Sequence, residues 1–589
     1  MELSVTLAQV NPTTADVGGN TALLLEELER ATADGVDAVV FPEMAITGYC
    51  ILDLVEDDAF IEANLAALDR IRERTGETAA VVGFVDRDER GAYNAAAVLQ
   101  DGTVRGVAHK VLLPNYRYFD DKRYFVPGGA VAPIDVDVRG ETVSLGVSVC
   151  EDVWDADYDR KPVAELARGG ADLIINVNAS PFVAGKRKER HELVTRHVRD
   201  TGLPFCYLNT VGAADVGKNV VVFDGDSLAY DAGGALLAKG EQFDEDRVTV
   251  AIDLDGPTDR ETRQRSAPGT ERREKELFEA LVTGLRDYVR KTGFETVLEP
   301  VSGGIDSSLG LAVCVEALGP ENVVAVNLPS VVNTEVTRGL ARELAENFGV
   351  EYRILPIQSI YEEVVAAYET NVGEIQRGTA RENVYARVRG LLMMLASNDS
   401  PAEAPAMLVS NGNETEMALG YVTLYGDMSG GLDLLGDLSK MDVYAVARYV
   451  NERHGRELIP AETFEMAPSA ELSPGQVDPF DYRTVAPLVG DLLERRWDPA
   501  EIVARFAAEE LDAERYGVDD RGRTVYERYD ADAFAEVVYD TYRRLTGSTF
   551  KRVQAPPVVA VSERAFGTDF REPIINAWDG RPVDWTASE

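Results

Sequence analysis

Residues 296–318 read TVLEPVSGGIDSSLGLAVCVEAL: an apolar strand, the small-residue run SGGIDSS at 302–308, and a helical apolar run. Small residues let backbone N–H groups approach phosphate oxygens closely, and a helix N-terminus adds a favourable dipole for an anion. The stretch therefore predicts a pyrophosphate cradle inside an α/β unit, with Ser302, Gly303, Gly304, Asp306, Ser307 and Ser308 as candidate ATP contacts. It is not a Walker A loop, because it holds no G-K-[ST]. A plain Gly-rich turn is the bland alternative, but S-G-G-x-D-S is far more restrictive than G-x-G-x-x-G.

Upstream of this unit lies the helical pattern EKELFEALVTGLRDYVRK. Before that, residues 253–275 (DLDGPTDRETRQRSAPGTERREK) hold almost no apolar residue and read as a linker. From the start to about residue 250, short apolar runs alternate with amphipathic stretches, as in LSVTLAQV, TALLLEELERA and VDAVVFPEM. That is the βα alternation of a layered α/β domain. The expected division is 1–255, a linker at 256–274, and 275–589, with no internal repeat.

The chain of 589 residues is too long for one ordinary core. It has no run of eighteen uncharged apolar residues, and its start lacks a basic, then apolar, leader pattern, so a cytoplasmic location is expected. Cys50, Cys150, Cys206 and Cys314 lie far apart, which argues against a disulfide framework and a zinc site. The four histidines form no metal-ligand pattern either. With 59 basic and 102 acidic residues the formal charge is −43, which disfavours nucleic acid and anionic membrane as partners. Only 11 of the basic residues are lysine. Acidic excess with scarce lysine points to a chain adapted to high salt, where screening over a few ångströms removes self-repulsion.

Three apolar runs, VDAVVFPE, RGVAHKVLLPNY and VSLGVSVCED, each place a reactive residue at or just after a strand end. Such positions let a rigid sheet present several side chains to one pocket. Glu43 can serve as general base for the Cys150 thiol, and Lys110 can favour a thiolate and stabilise an oxyanion. Glu151 and Asp152 pose a difficulty, since neighbouring carboxylates raise a thiol pKa. The expected resolution is that their side chains point elsewhere. On spacing alone, a buried cysteine at a strand end is more often inert core.

FPEMAITGY, HKVLLPNY, FDDKRYFVPG and CEDVWD, together with NASPF and NTVGAADVGKNVVVFDGDS, resemble the glutamine amidase domain of the nitrilase superfamily over nearly all of residues 1–255. The resemblance implies an α-β-β-α four-layer sandwich with Glu43, Lys110 and Cys150 as triad, and places Tyr49, Tyr116, Glu151 and Ser180 around a glutamine substrate. SGGIDSS is similar to the loop of the N-type ATP pyrophosphatases. NGNETEMALGYVTLYGDMSGG, LGDLSKMDVY, RENVYARVRG, APSAELSPGQVD, STFKRVQAPP and SERAFGTDFREP resemble segments of the glutamine-dependent NAD⁺ synthetase family. That likeness implies a parallel-sheet, Rossmann-like α/β fold. It assigns Mg²⁺ to Asp306 and Glu416, and deamido-NAD⁺ or its adenylate to Glu382, Asn383, Arg387, Arg389, Thr423, Asp427, Lys440 and Lys551.

Taken together, the resemblance implies ammonia release from glutamine, coupled to amidation of an ATP-activated carboxylate, in a homo-oligomer. Another glutamine-fed, carboxylate-adenylating amidotransferase, or a mainly ammonia-dependent synthetase, stays open as an alternative. Two positions depart from the family pattern. Asp121 stands where a glutamate is usual, and its shorter side chain either reaches through a water or retunes the site. Glu414 stands where a lysine is usual, and the simplest expectation is an exposed position.

Overall fold

The computed structural model describes residues 1–256, 272–399, 405–469, 471–473, 475–578 and 580–581. Most of the expected linker, and Ala470 and Pro474 of the APSAELSPGQVD stretch, lie outside them. The chain forms two compact units, Met1–Val216 with Val221–Arg273, and Gly217–Val220 with Glu274–Glu589.

The first unit holds two six-stranded sheets. One contains β1 (Glu2–Gln9), β2 (Ala38–Val40), β3 (Ala79–Asp88), β4 (Gly91–Gln100), β5 (Thr103–His109) and β14 (Asp246–Asp253), in the order β14-β1-β2-β3-β4-β5. The other contains β6 (Ile134–Val138), β7 (Glu141–Val149), β8 (Leu173–Asn178), β9 (Phe205–Asn209), β12 (Leu228–Tyr230) and β13 (Leu236–Lys239), in the order β13-β12-β9-β8-β7-β6. Between β9 and β12 the chain makes a hairpin of β10 (Val211–Asp215) and β11 (Asn219–Asp224).

Alternation along these strands dictates the layering, because successive side chains point to opposite faces. Leu3, Val5, Leu7 and Val81 of the first sheet meet Leu145, Val147, Leu173 and Ile175 of the second in one core. The opposite faces are also apolar. Val39, Ala80 and Val82 pack on Leu24, Leu28, Ala67 and Ile71 of helices Val17–Ala33 and Asp58–Arg72. Ile174, Phe205 and Tyr207 pack on Leu166, Val194 and Val198 of helices Pro162–Arg168 and Lys186–Thr201. Strands buried on both faces read as nearly continuous apolar runs, and the result is the expected α-β-β-α sandwich.

In the second unit, β15 (Val297–Pro300), β16 (Val323–Asn327), β17 (Glu351–Ile354), β18 (Met407–Ser410), β19 (Leu432–Asp433) and β20 (Val558–Ala560) run in the order β20-β19-β18-β15-β16-β17. Every pairing among them is parallel. The chain builds one side of β15 first and then returns to the other, so the order reverses between β15 and β18. Ligands of open α/β sheets bind outside the carboxyl ends of strands at such a switch point. The loops leaving these two strands are 301–304 and 411–413, which hold the small-residue run and the NGN sequence. A separate apolar cluster joins helices Glu414–Leu419, Tyr482–Leu493, Pro499–Ala507 and Ala531–Gly547. No described helix is long and apolar enough to cross a membrane.

Candidate active site

Glu43, Lys110 and Cys150 come together at the C-terminal ends of β2, β5 and β7. Lys110 Nζ lies 2.9 Å from Glu43 Oε1 and 2.7 Å from Asp121 Oδ2. The side chains of Lys110 and Glu43 are wholly shielded from solvent, and Cys150 is buried. Cys150 opens a 3₁₀ turn, Cys150–Val153, with φ of +43°, a conformation that non-glycine residues rarely adopt. Such strain persists where surrounding structure over-determines it, commonly at reactive sites.

Glu43 is fixed from two further directions. Asn94 Nδ2 donates to Oε1 at 2.7 Å, and Ala179 N donates to Oε2 at 2.7 Å. Burial, and next the Glu43 carboxylate, push the Cys150 thiol well up, while the Lys110 ammonium pulls it down. The balance favours the neutral thiol over the thiolate. Lys110 loses stabilisation through burial, but Asp121 and Glu43 outweigh that and hold it charged. Asp121 contacts Lys110 directly despite its shorter side chain, and Tyr49 OH donates to its other oxygen at 3.3 Å.

The two acids after Cys150 are each hydrogen-bonded to other groups, and of the two only Glu151 adds to the rise of the thiol pKa. Glu151 accepts from Tyr116 OH at 3.0 Å and Tyr158 OH at 2.9 Å. Asp152 accepts three backbone N–H groups, from Val111, Leu112 and Val149. Ser180 follows the Ala179 clamp, and its backbone is held on both sides by the Asn209 amide. Lys186 Nζ lies 4.7 Å from the Trp154 ring centre, and burial lowers its pKa. Asn94, Tyr158 and Lys186 carry no signal in the sequence, and Asp152 stands out there only as a charge beside the thiol. Asn94 sits mid-strand, and the others belong to turns and a helix whose direction no local pattern specifies.

In the second unit the 302–308 run forms a tight loop entering helix Ile305–Leu318, with Gly304 as N-cap. Gly303 has φ of +90°, and a Cβ there would lie 2.4 Å from Thr337 O, so only glycine fits. Ser302 Oγ lies 3.2 Å from Ser307 Oγ and accepts from Gly304 N. Ser308 is turned into the helix, donating to Gly304 O at 2.8 Å. Lys440 Nζ joins Asp306 Oδ2 at 2.6 Å to Glu416 Oε1 at 3.1 Å, and Asn413 Nδ2 donates to Asp306 Oδ1. The lysine is nearly inaccessible, whereas the two carboxylates keep about a fifth of their exposure.

The remaining candidates divide. Asn383 accepts from Thr423 Oγ1 at 3.0 Å, and Asp427 accepts from Thr423 N at 2.8 Å. Lys551 donates to the carbonyls of Gly420 and Val422, and Arg387 to that of Leu424, so these residues gather around one loop. Arg389 points instead to Leu328 O and Asn333, and Glu382 is half-buried with no role visible in this arrangement. The expectation for Glu414 is corrected: it is buried at the start of helix Glu414–Leu419. Burial, then the charges of Asp437, Glu494 and Asp442, push its carboxyl well above the ordinary range. The helix packs into the apolar cluster of the second unit, which turns this position inward.

Asp306 and Glu416 fit Mg²⁺ by the chemistry of their donors. Two hard carboxylates converge on the Lys440 ammonium beside the 302–308 loop, and Mg²⁺ is commonly held by one or two carboxylates plus substrate phosphates. Among the described residues no group of three or more metal-ligating side chains occurs.

Comparison with known proteins covers both halves. Residues 4–263 match the carbon-nitrogen hydrolase family and residues 277–517 the NAD synthase family. The chain is 36% identical to the glutamine-dependent NAD(+) synthetase of Thermotoga maritima, over 98% of each chain. It is 34% identical to that of Aquifex aeolicus, over 98% of this chain and 99% of the other. The glutamine-dependent NAD+ synthetase of Acinetobacter baumannii, solved with ADP, superposes with a TM-score of 0.72 at 29% identity, covering 99% and 100% of the two chains. With full-length identity of this order and both domain families present, the chain belongs to the glutamine-dependent NAD⁺ synthetase family.

Proposed function

We propose that the first unit hydrolyses glutamine and the second uses the released ammonia to convert deamido-NAD⁺ into NAD⁺ at the cost of ATP. One observation carries the reading: a single chain holds both a buried Glu-Lys-Cys contact set and a glycine loop facing a carboxylate-lysine-carboxylate cluster.

In the first unit, Cys150 Sγ attacks the side-chain amide carbon of glutamine as its proton passes to Glu43. Lys110 stabilises the oxygen that becomes negative. Collapse of the tetrahedral intermediate expels NH₃, which takes the proton back from Glu43 and leaves a thioester. Water, deprotonated by Glu43, then releases glutamate and restores the thiol. Glu151, with Tyr116 and Tyr158 beside it, supplies a carboxylate for the α-ammonium group, while Lys186 supplies a cation for the α-carboxylate. Tyr49 and Ser180 complete the surroundings.

In the second unit, the backbone of Ser302–Ser307 cradles the ATP phosphates at the helix N-terminus. Asp306 and Glu416 would hold Mg²⁺, which would supply charge neutralisation at the phosphates. The substrate carboxylate attacks the α-phosphorus and pyrophosphate leaves, with Lys440 balancing charge there. Ammonia then displaces AMP from the acyl carbon. Asn383, Arg387, Thr423, Asp427 and Lys551 line the dinucleotide end, and Glu382 and Arg389 lie at its edge.

Leu391 and Leu395, one turn apart on helix Gly378–Asn398, are 63% and 61% exposed, apolar surface that supports self-association of this otherwise acidic chain. A cytoplasmic location follows from the substrates. The test supplies deamido-NAD⁺, ATP and Mg²⁺ with either glutamine or ammonium and measures NAD⁺, AMP, pyrophosphate and glutamate. Formation of NAD⁺ with both donors is expected. Adenylation of a different carboxylate, with none of deamido-NAD⁺, would contradict the assignment.

A further inference from the structure

Glu43 and Lys110 stand on the first sheet of the sandwich and Cys150 on the second, so the triad is assembled across two layers. Apolar packing between sheets is dense but non-directional. Something directional has to set the distance between a lysine on one sheet and a sulfur on the other. Asp152 makes such a tie. Its Oδ1 accepts from Val111 N at 2.9 Å and Leu112 N at 2.9 Å, the two amides directly after Lys110. Its Oδ2 accepts from Val149 N at 3.1 Å, the amide directly before Cys150. The carboxylate is 2% exposed, and each of its three bonds is charge-assisted. Burial pushes its pKa up to about 6, and the three N–H donors work against that rise.

The position of these bonds matters more than their number. Cys150 carries the strained +43° backbone, and its preceding amide is pinned by the same side chain that pins the residues following Lys110. We propose that Asp152 is a positioning residue for glutamine hydrolysis: one carboxylate staples the strand ends bearing Lys110 and Cys150 and fixes the ammonium-to-sulfur geometry. It touches none of the reacting atoms. Its effect falls on the chemical step, because substrate is held by other groups, and misplacement on the order of 1 Å costs about 100-fold in rate.

This inference rests on the triad reading above, and wild-type protein separates the two. Absence of glutamine-driven synthesis in wild type, with ammonium-driven synthesis intact, would refute the triad reading and leave nothing for Asp152 to position. The test uses Asp152→Asn and Asp152→Ala in the full chain. Asparagine keeps the shape and one acceptor oxygen, but sets an N–H₂ group against at least one backbone donor. Both variants should lower kcat for glutamine hydrolysis, by about 10- to 100-fold, with KM for glutamine within about threefold and ammonium-driven synthesis unchanged. Alkylation of Cys150 by iodoacetamide should slow in parallel, with asparagine less affected than alanine. Unchanged kcat and alkylation in both variants would overturn the proposal. So would equal loss with both nitrogen donors, or failure of both variants to fold, since Asp152 would then be a brace for the whole fold.

Discussion

Replacing Lys110 by methionine removes a buried ammonium and leaves two carboxylates behind, those of Glu43 at 0% and Asp121 at 7% side-chain exposure. The cost follows from what those carboxylates have left. Glu43 keeps its bonds from Asn94 and Ala179, whereas Asp121 keeps only the 3.3 Å bond from Tyr49. Asp121 is therefore the group that takes up a proton, and burial already raises its pKa in the intact site despite Lys110. Protonating an ordinary aspartate at pH 7 costs about 4 kcal/mol, which bounds the loss from above and matches the about 3–5 kcal/mol typical of breaking a buried pair. For a unit of this size that lowers the melting midpoint by roughly 10 °C. The pH dependence has a definite sign. A carboxyl whose folded pKa is raised contributes stability at low pH and loses it as pH rises through that pKa. The deficit of the variant should thus be smallest near pH 5 and widen toward pH 8. Calorimetry on the full chain at several pH values checks this, with glutamine hydrolysis measured alongside and expected to be lost. A variant that melts with wild type at pH 8, or a deficit independent of pH, would refute the electrostatic account of the triad.

Gly303→Ala should abolish ATP-dependent chemistry with either donor, because its Cβ would sit 2.4 Å from Thr337 O at a backbone φ of +90°; near-normal pyrophosphate release would show that the loop tolerates displacement. Asp306→Ala should also stop pyrophosphate release with both donors while glutamine hydrolysis partly survives, and normal release would remove Asp306 from the phosphate site. The formal charge of −43 predicts a melting temperature and activity that rise steeply with KCl. The Debye length falls from about 10 Å at 0.1 M to about 3 Å at 1 M, so unchanged melting between those conditions would mean that the acidic surface is tolerated for another reason.

The layered fold was legible because both faces of its strands are apolar and its helices show one apolar side, a pattern set by local periodicity. The set Glu43, Lys110 and Cys150 was legible through the family resemblance of the stretches that carry it, since strand-end placement alone does not separate a reactive cysteine from inert core. What surrounds them was not. Asp152 turns toward Val111 because of the 3₁₀ turn that begins at Cys150, and Asn94 reaches Glu43 from within a strand, GAYNAAAVLQ, whose local pattern gives no direction for its side chain. Glu414 illustrates the opposite error: a glutamate where the family has a lysine, in a chain poor in lysine, reads as an exposed position, yet it is buried. The helix it begins is packed on both sides, and tertiary contact decides where its side chain goes.

If one chain carries two separable chemistries, Cys150→Ala should remove one of them and spare the other. The variant should be supplied with deamido-NAD⁺, ATP and Mg²⁺, first with glutamine and then with ammonium, at a salt concentration where its melting matches wild type. No glutamine-driven NAD⁺ is expected, with ammonium-driven NAD⁺ close to the wild-type rate. Equal loss with both donors in a folded variant, or undiminished synthesis from glutamine, would contradict that separation.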